Sequence, residues 1–144
     1  MKTPYDGAMR VQQREIDDVR VAISVQVSQL VQIENNRAEV EAAMEREARI
    51  AAGDILFSSH AYVERMCAQR ARLREDQAVV DAQLGRLRNK AMAAYSSFKA
   101  IESAADSFRT EAERARENAE QSQLDDRSAT AFALGRGPVR RRSP

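Results

Sequence analysis

The chain is poor in the residues that build compact cores and reactive sites. Among its 144 residues there is no Trp, there is one Cys and one His, and aromatic residues make up only 5%. Its three prolines, Pro4, Pro138 and Pro144, all lie near the ends, so no proline ring interrupts a helix between them. Charged residues make up 31% and the net charge is only +1, which argues against a compact globule and against a polyanion-binding domain. The composition is typical of a long helix or a coiled coil.

Several absences also bear on the compartment. A single cysteine, Cys67, cannot form an internal disulfide, which predicts a cytosolic protein. Met1-Lys2-Thr3-Pro4 leads into polar residues rather than an apolar segment, so no signal peptide is expected. No apolar stretch approaches the length needed to span a bilayer, which predicts at most a peripheral membrane association.

The sequence is also poor in the residue patterns typical of catalytic, metal-binding and nucleic-acid-binding sites. His60 and Cys67 are the only candidates for a nucleophilic pair, and a thin helical protein offers no cleft around them, so we expect no catalytic residue. Zinc spacings, phosphate loops and Glu-x-x-His pairs do not occur, which predicts no metal ligand and no cofactor. The arginines at 140–142 suit a solvated tail better than a nucleic-acid site, so no nucleic-acid partner is expected.

A heptad pattern of apolar residues dominates what is present. Such a repeat keeps one stripe facing a partner helix over a great length. The rhythm fails around Gly53 and resumes at Val63, which predicts an all-α fold: a long antiparallel two-helix coiled-coil hairpin. We expect a hairpin over 6–123 with helix 1 at 6–52, a bend at 53–60 with its fold-back point at Ser58–Ser59, and a longer helix 2 at 61–123. A weak helical extension at 124–134 and a disordered basic tail at 135–144 should follow. The stripe positions of the first helix are Met9, Gln12, Ile16, Val19, Ile23, Gln26, Leu30, Ile33, Arg37, Val40, Met44, Glu47 and Ala51, and those of the second run from Val63 through Leu73, Leu84 and Phe98 to Ala119 and Ser122.

One ion pair sets the predicted register of the two helices. Glu47 and Arg70 are taken as an opposite-charge pair facing each other across the seam. Every other stripe position then meets a stripe position: Val19 faces Phe98, Ile33 faces Leu84, Val40 faces Gln77, Met44 faces Leu73 and Met9 faces Phe108. Equally compatible with the sequence is a pair of side chains that extend outward along the seam without meeting.

Two regions suggest contact with other molecules. Beyond Phe108 the second helix has no partner, yet it continues with a narrow alanine stripe through Ala112, Ala115 and Ala119. Near the bend, apolar residues either close the hairpin as a small cap or dock on another protein. They are Ile55, Leu56, Phe57, Tyr62, Val63 and Met66.

The chain resembles the FliJ family of flagellar export proteins, with the YscO-type stalks of virulence-associated secretion as relatives. The resemblance lies in a small size, a first helix with a loose heptad, and the segment Tyr62-Val63-Glu64-Arg65-Met66 after the bend. A longer second helix with Glu113-Arg114-Ala115-Arg116 and Asp125-Asp126-Arg127-Ser128-Ala129 completes it.

This resemblance implies a non-enzymatic central stalk and activator of the hexameric flagellar export ATPase. It also implies contact with the cytoplasmic domain of the membrane export gate and with export chaperones, in the cytoplasm at the inner face of the cell membrane. The ATPase-facing residues would be Met9, Gln12, Ile16, Phe108, Ala112, Ala115 and Ala119; the gate-facing ones would be Val40, Met44, Tyr62, Met66 and Leu73.

Two other functions are compatible with the residues. A homodimeric coiled-coil scaffold with parallel helices would use the polar stripe residues Gln12, Gln26 and Arg37 to set its oligomeric state. An adaptor that grips partner helices along a charged face would need no ATPase.

Overall fold

Two long helices make up nearly all of the computed structural model, which describes residues 1–53 and 60–135. Helix α1 spans Asp6–Gly53 and helix α2 spans His60–Gly135. The fold is therefore all-α, and the second helix is the longer one, with 76 residues against 48. The predicted fold-back point at Ser58–Ser59, the apolar residues Ile55, Leu56 and Phe57, and the basic tail after Gly135 lie outside the described residues.

The two helices begin and end close to where the sequence places them. Gly53, around which the rhythm fails in the sequence, is the last residue of α1. Helix α2 continues without a break past Gln123 to Gly135, through the segment where a weak helical extension was expected. The continuity is understandable because the segment 124–134 contains neither glycine nor proline.

The chain divides into two compact parts. One consists of Arg10–Phe98, and the other includes Met1–Met9 and the part of α2 from Lys99 onward.

Within Arg10–Phe98, the helices run antiparallel. Val19 and Ala22 line the same shallow groove as Leu87 and Lys90, while further along α1 Ile33 lines a groove with Val79. Higher numbers on α1 therefore meet lower numbers on α2. This part of the chain is the predicted helical hairpin.

The predicted stripe is the buried face of the hairpin. All thirteen predicted positions on α1, from Met9 to Ala51, are buried or half-buried. The same holds on α2 for every stripe position from Val63 to Ala105. The most deeply buried apolar residues all belong to the stripe: Ile16, Val19, Val40, Leu73, Val80, Leu84, Ala94 and Ala105.

The predicted register, by contrast, stays a prediction. Val19 lines a shallow groove with Leu87 and Lys90, and Arg37 donates to Gln77 across the seam. Glu47 and Arg70 are both half-buried, but no ion pair within 4.0 Å joins them among the described residues.

Candidate interaction surfaces

The start of the chain is tied down by a helix cap. The Thr3 hydroxyl donates to Asp6 Oδ1 at 2.6 Å, and the Thr3 backbone N–H donates to Asp6 Oδ2 at 3.1 Å. Thr3 is 8% exposed, and the first helical hydrogen bond, from Met9 N to Tyr5 O, follows at 2.9 Å. This arrangement is a variant of the capping box, with Pro4 at the position where its missing N–H costs nothing.

The capped segment packs on α2. The rings of Tyr5 and Phe108 meet edge to face, with centroids 6.4 Å apart at 75°. Beside them Arg109 lies 3.9 Å from Asp6 and 2.9 Å from Asp106. The ring contact of Tyr5 with Phe108 and the ion pair of Arg109 with Asp6 hold the first residues of the chain against one short stretch of α2.

Sequence reasoning missed this cluster apart from Phe108. The signal was present, because Thr-Pro-Tyr-Asp places a capping threonine three residues before an acidic side chain with a proline between them. Tyr5 was outside the predicted stripe, so its partnership with Phe108 had no periodic signal.

Beyond this cluster α2 is an exposed helix. Ala112 is the last half-buried residue, and every residue from Glu113 to Gly135 is exposed. Surface contacts along it are local, such as the Arg116–Glu120 ion pair at 3.4 Å and the Gln121–Asp125 hydrogen bond at 2.9 Å. Such i,i+4 pairs stabilise an exposed helix.

The predicted ATPase-facing residues differ in accessibility. Ala115 and Ala119 are exposed, and Phe108 is 38% exposed. Met9, Gln12 and Ala112 are half-buried, and Ile16, at 8%, is a core residue. A partner can therefore reach the alanine stripe directly, whereas it cannot reach Ile16 without displacing the packed seam.

The predicted gate-facing residues fall into two groups. Val40 and Leu73 are 5% and 8% exposed and belong to the hairpin core. Met44, Tyr62 and Met66 are half-buried, so each keeps part of its side chain at the surface. Any contact at this set therefore depends on the latter three.

The hairpin seam contains polar residues, some with hydrogen-bond partners and some without. Arg37 Nη1 donates to Gln77 Oε1 across the seam at 3.2 Å, and Arg37 also pairs with Glu41 at 3.4 Å. The side-chain oxygens of Gln12 and Gln26 are buried without a hydrogen-bond partner. Buried polar groups without partners weaken a seam locally.

The histidine and cysteine do not form a reactive pair. His60 Nε2 lies 3.2 Å from Glu64 Oε1 on an exposed face, while Cys67 is half-buried two turns further along α2. In the described residues no group of three or more His, Cys, Asp or Glu side chains is arranged to hold a metal ion. Nor does any helix there carry an apolar window long enough to cross a membrane.

Comparison of the chain with protein-family models, with curated proteins and with solved structures finds no match.

Proposed function

We propose that this chain is a non-enzymatic stalk of the FliJ type that binds and activates the hexameric export ATPase of the bacterial flagellum. In this role it works in the cytoplasm at the inner face of the cell membrane, links the ATPase to the cytoplasmic domain of the export gate, and escorts export chaperones.

The exposed stretch of α2 from Glu113 to Gly135 is the observation that carries the proposal. It is a long helix whose small stripe residues, Ala115 and Ala119, face solvent between charged neighbours. Small side chains allow close approach of a second surface, and the surrounding charges suit a polar, reversible contact. A helix of this kind fits the narrow opening of a protein ring.

The hairpin supports the mechanical side of the proposal. A packed seam of interlocking side chains resists deformation, so a displacement at one point of the hairpin is transmitted along it. Met44, Tyr62 and Met66, which keep part of their surface exposed, are the residues assigned to the export gate.

Stimulation of the purified flagellar export ATPase of the same organism tests the proposal. We expect the full chain to raise ATP turnover, and Ala115→Lys with Ala119→Lys to remove at least nine-tenths of that increase, because lysines on the stripe prevent close approach. The matched control is Gln121→Lys with Ser128→Lys, which adds the same charge to the opposite side of the same exposed helix and should leave stimulation intact.

Two shortened chains locate the active segment. A chain ending after Ala112 keeps the capped N-terminus and the whole buried stripe but should not stimulate, whereas one ending after Gly135 should stimulate normally. If the full chain neither binds nor stimulates the ATPase, or if the chain ending after Ala112 stimulates normally, the stalk proposal is wrong.

A further inference from the structure

The outer surface of α1 contains a region with no charge. Residues 21–33 read VAISVQVSQLVQI, without an acidic or basic residue, in a chain that is 31% charged. Arg20 immediately precedes this run and Glu34 immediately follows it. The buried stripe accounts for Ile23, Gln26, Leu30 and Ile33, and Ala22, Gln29 and Gln32 line grooves with α2, but the exposed valines of the run have no such contact.

Valines on the outer side of this run are exposed. Val21 is 65% exposed, Val25 49%, Val27 41% and Val31 50%. Ser24 and Ser28 lie between them, and a shallow groove follows this side of the helix. The valine face is the surface formed by Val21, Ser24, Val25, Val27, Ser28 and Val31.

We propose that the valine face is a self-association site, where two copies of the chain pair along their first helices in antiparallel orientation. The proposal goes beyond the stalk function and does not depend on it.

The lack of charge limits what can cover this face. A charged partner group over the valines would lose its hydration and find no opposite charge between Arg20 and Glu34, so the surface that covers the valines must itself be uncharged. A second copy supplies such a surface of the same length. Its two serines leave room for a second backbone to approach between the valines.

The flanking charges select the orientation. Arg20, Val27 and Glu34 are spaced by seven residues, so they lie along one side of α1. In an antiparallel pair centred on Val27, each Arg20 lies level with Glu34 of the second copy. A parallel pair would place Arg20 beside Arg20 and Glu34 beside Glu34. The antiparallel arrangement is also two-fold symmetric, as a closed dimer requires.

The size of the valine face limits the affinity of the dimer. Thirteen residues correspond to about 20 Å of helix, which is less than the contact of a standard stable interface. The expected dimer is therefore weak and concentration-dependent, with a dissociation constant near or above about 10 µM.

Sedimentation equilibrium of the full chain, from about 5 µM to about 500 µM, tests the proposal. We expect a reversible monomer–dimer equilibrium, and Val25→Lys should weaken it at least tenfold. Val79→Lys is the matched control, because Val79 is a 57% exposed valine on α2, outside the valine face, and it should leave the equilibrium unchanged.

Two further variants test the orientation. Arg20→Glu should weaken association, and adding Glu34→Arg to it should restore association, since the reversed charges again face each other. With Cys67→Ser as background, Val27→Cys should cross-link to its own copy with a short bismaleimide, whereas Val79→Cys should not.

Some outcomes would overturn the proposal. It fails if the full chain stays monomeric at the highest concentration, which would leave the valine face to a different partner. It fails equally if Val25→Lys and Val79→Lys weaken a dimer to the same extent. Loss of association without rescue by the double charge reversal would refute the antiparallel arrangement. Normal ATPase stimulation by a monomeric Val25→Lys chain would separate this site from the stalk function.

Discussion

Two stretches of the same helix carry the same sequence rhythm with opposite results. From Val63 to Phe98, every stripe position of α2 is buried or half-buried. From Glu113 to Gly135, where the rhythm continues through Ala115, Ala119 and Ser122, every residue is exposed. The heptad pattern therefore identifies the side of a helix that is suited to contact. It does not identify the surface that this side contacts.

The residue types in the two stretches agree with this difference. The buried stretch uses large apolar residues such as Leu73, Val80 and Leu84, whose removal from water drives packing within the chain. The exposed stretch uses alanine and serine on its stripe, which gain little from burial but permit close approach. The first stretch stabilises the fold, and the second is available for a partner.

The largest expected effect is the difference in unfolding free energy between a leucine-to-alanine change in the buried stretch and one in the exposed stretch. Leu84 is 2% exposed and Leu124 is 55% exposed on the same helix. Leu84→Ala should lower the free energy of unfolding by about 2–5 kcal/mol, because it leaves a cavity in the seam. Leu124→Ala should change it by less than about 0.5 kcal/mol.

Urea unfolding followed by circular dichroism measures both values. Equal losses of unfolding free energy for Leu84→Ala and Leu124→Ala would mean that the end of α2 packs on another part of the chain. The two stretches of α2 would then not differ in burial. A loss for Leu84 with no loss for Leu124 supports the assignment of the exposed stretch to an external partner.

The sequence was sufficient to predict the fold class and the buried side of each helix. Both follow from a heptad pattern repeated many times, so single exceptions such as Gln26 or Arg37 do not obscure it. The register was not predictable in the same way, because a slip of one heptad again brings stripe positions together. The choice depended on Glu47 and Arg70, and one ion pair near the surface contributes too little free energy to decide it.

The candidate surfaces were predictable only in part. The alanine stripe was visible because it continues the heptad, whereas the contact between Tyr5 and Phe108 joins residues with no common period. The valine face was hidden for a related reason: periodicity identifies the side that faces the seam, and residues on the opposite side draw attention only by their lack of charge.

A smaller effect is expected at the N-terminal cap. Thr3→Ala removes the hydroxyl that donates to Asp6, and caps of this kind contribute about 1 kcal/mol. Amide exchange at Met9, whose N–H makes the first hydrogen bond of the helix, should accelerate about fivefold.

A threonine in the exposed stretch provides the control. Thr130 bonds only to the Asp126 carbonyl of its own helix at 2.8 Å, so Thr130→Ala should leave the free energy of unfolding unchanged or slightly raised. If Thr3→Ala has no effect on exchange at Met9, the capped segment does not hold the start of α1.

The smallest effect concerns the polar positions of the seam. The side-chain oxygen of Gln26 is buried without a partner, so Gln26→Leu should remove a desolvation cost and add apolar contact, and it should raise the free energy of unfolding by up to about 1 kcal/mol. Gln123→Leu, on the exposed stretch, should leave stability unchanged. A loss of stability in the Gln26→Leu chain would mean that this oxygen is hydrogen-bonded in solution. In that case the polar seam positions would stabilise the hairpin, and the difference between the two stretches of α2 would not depend on apolar burial alone.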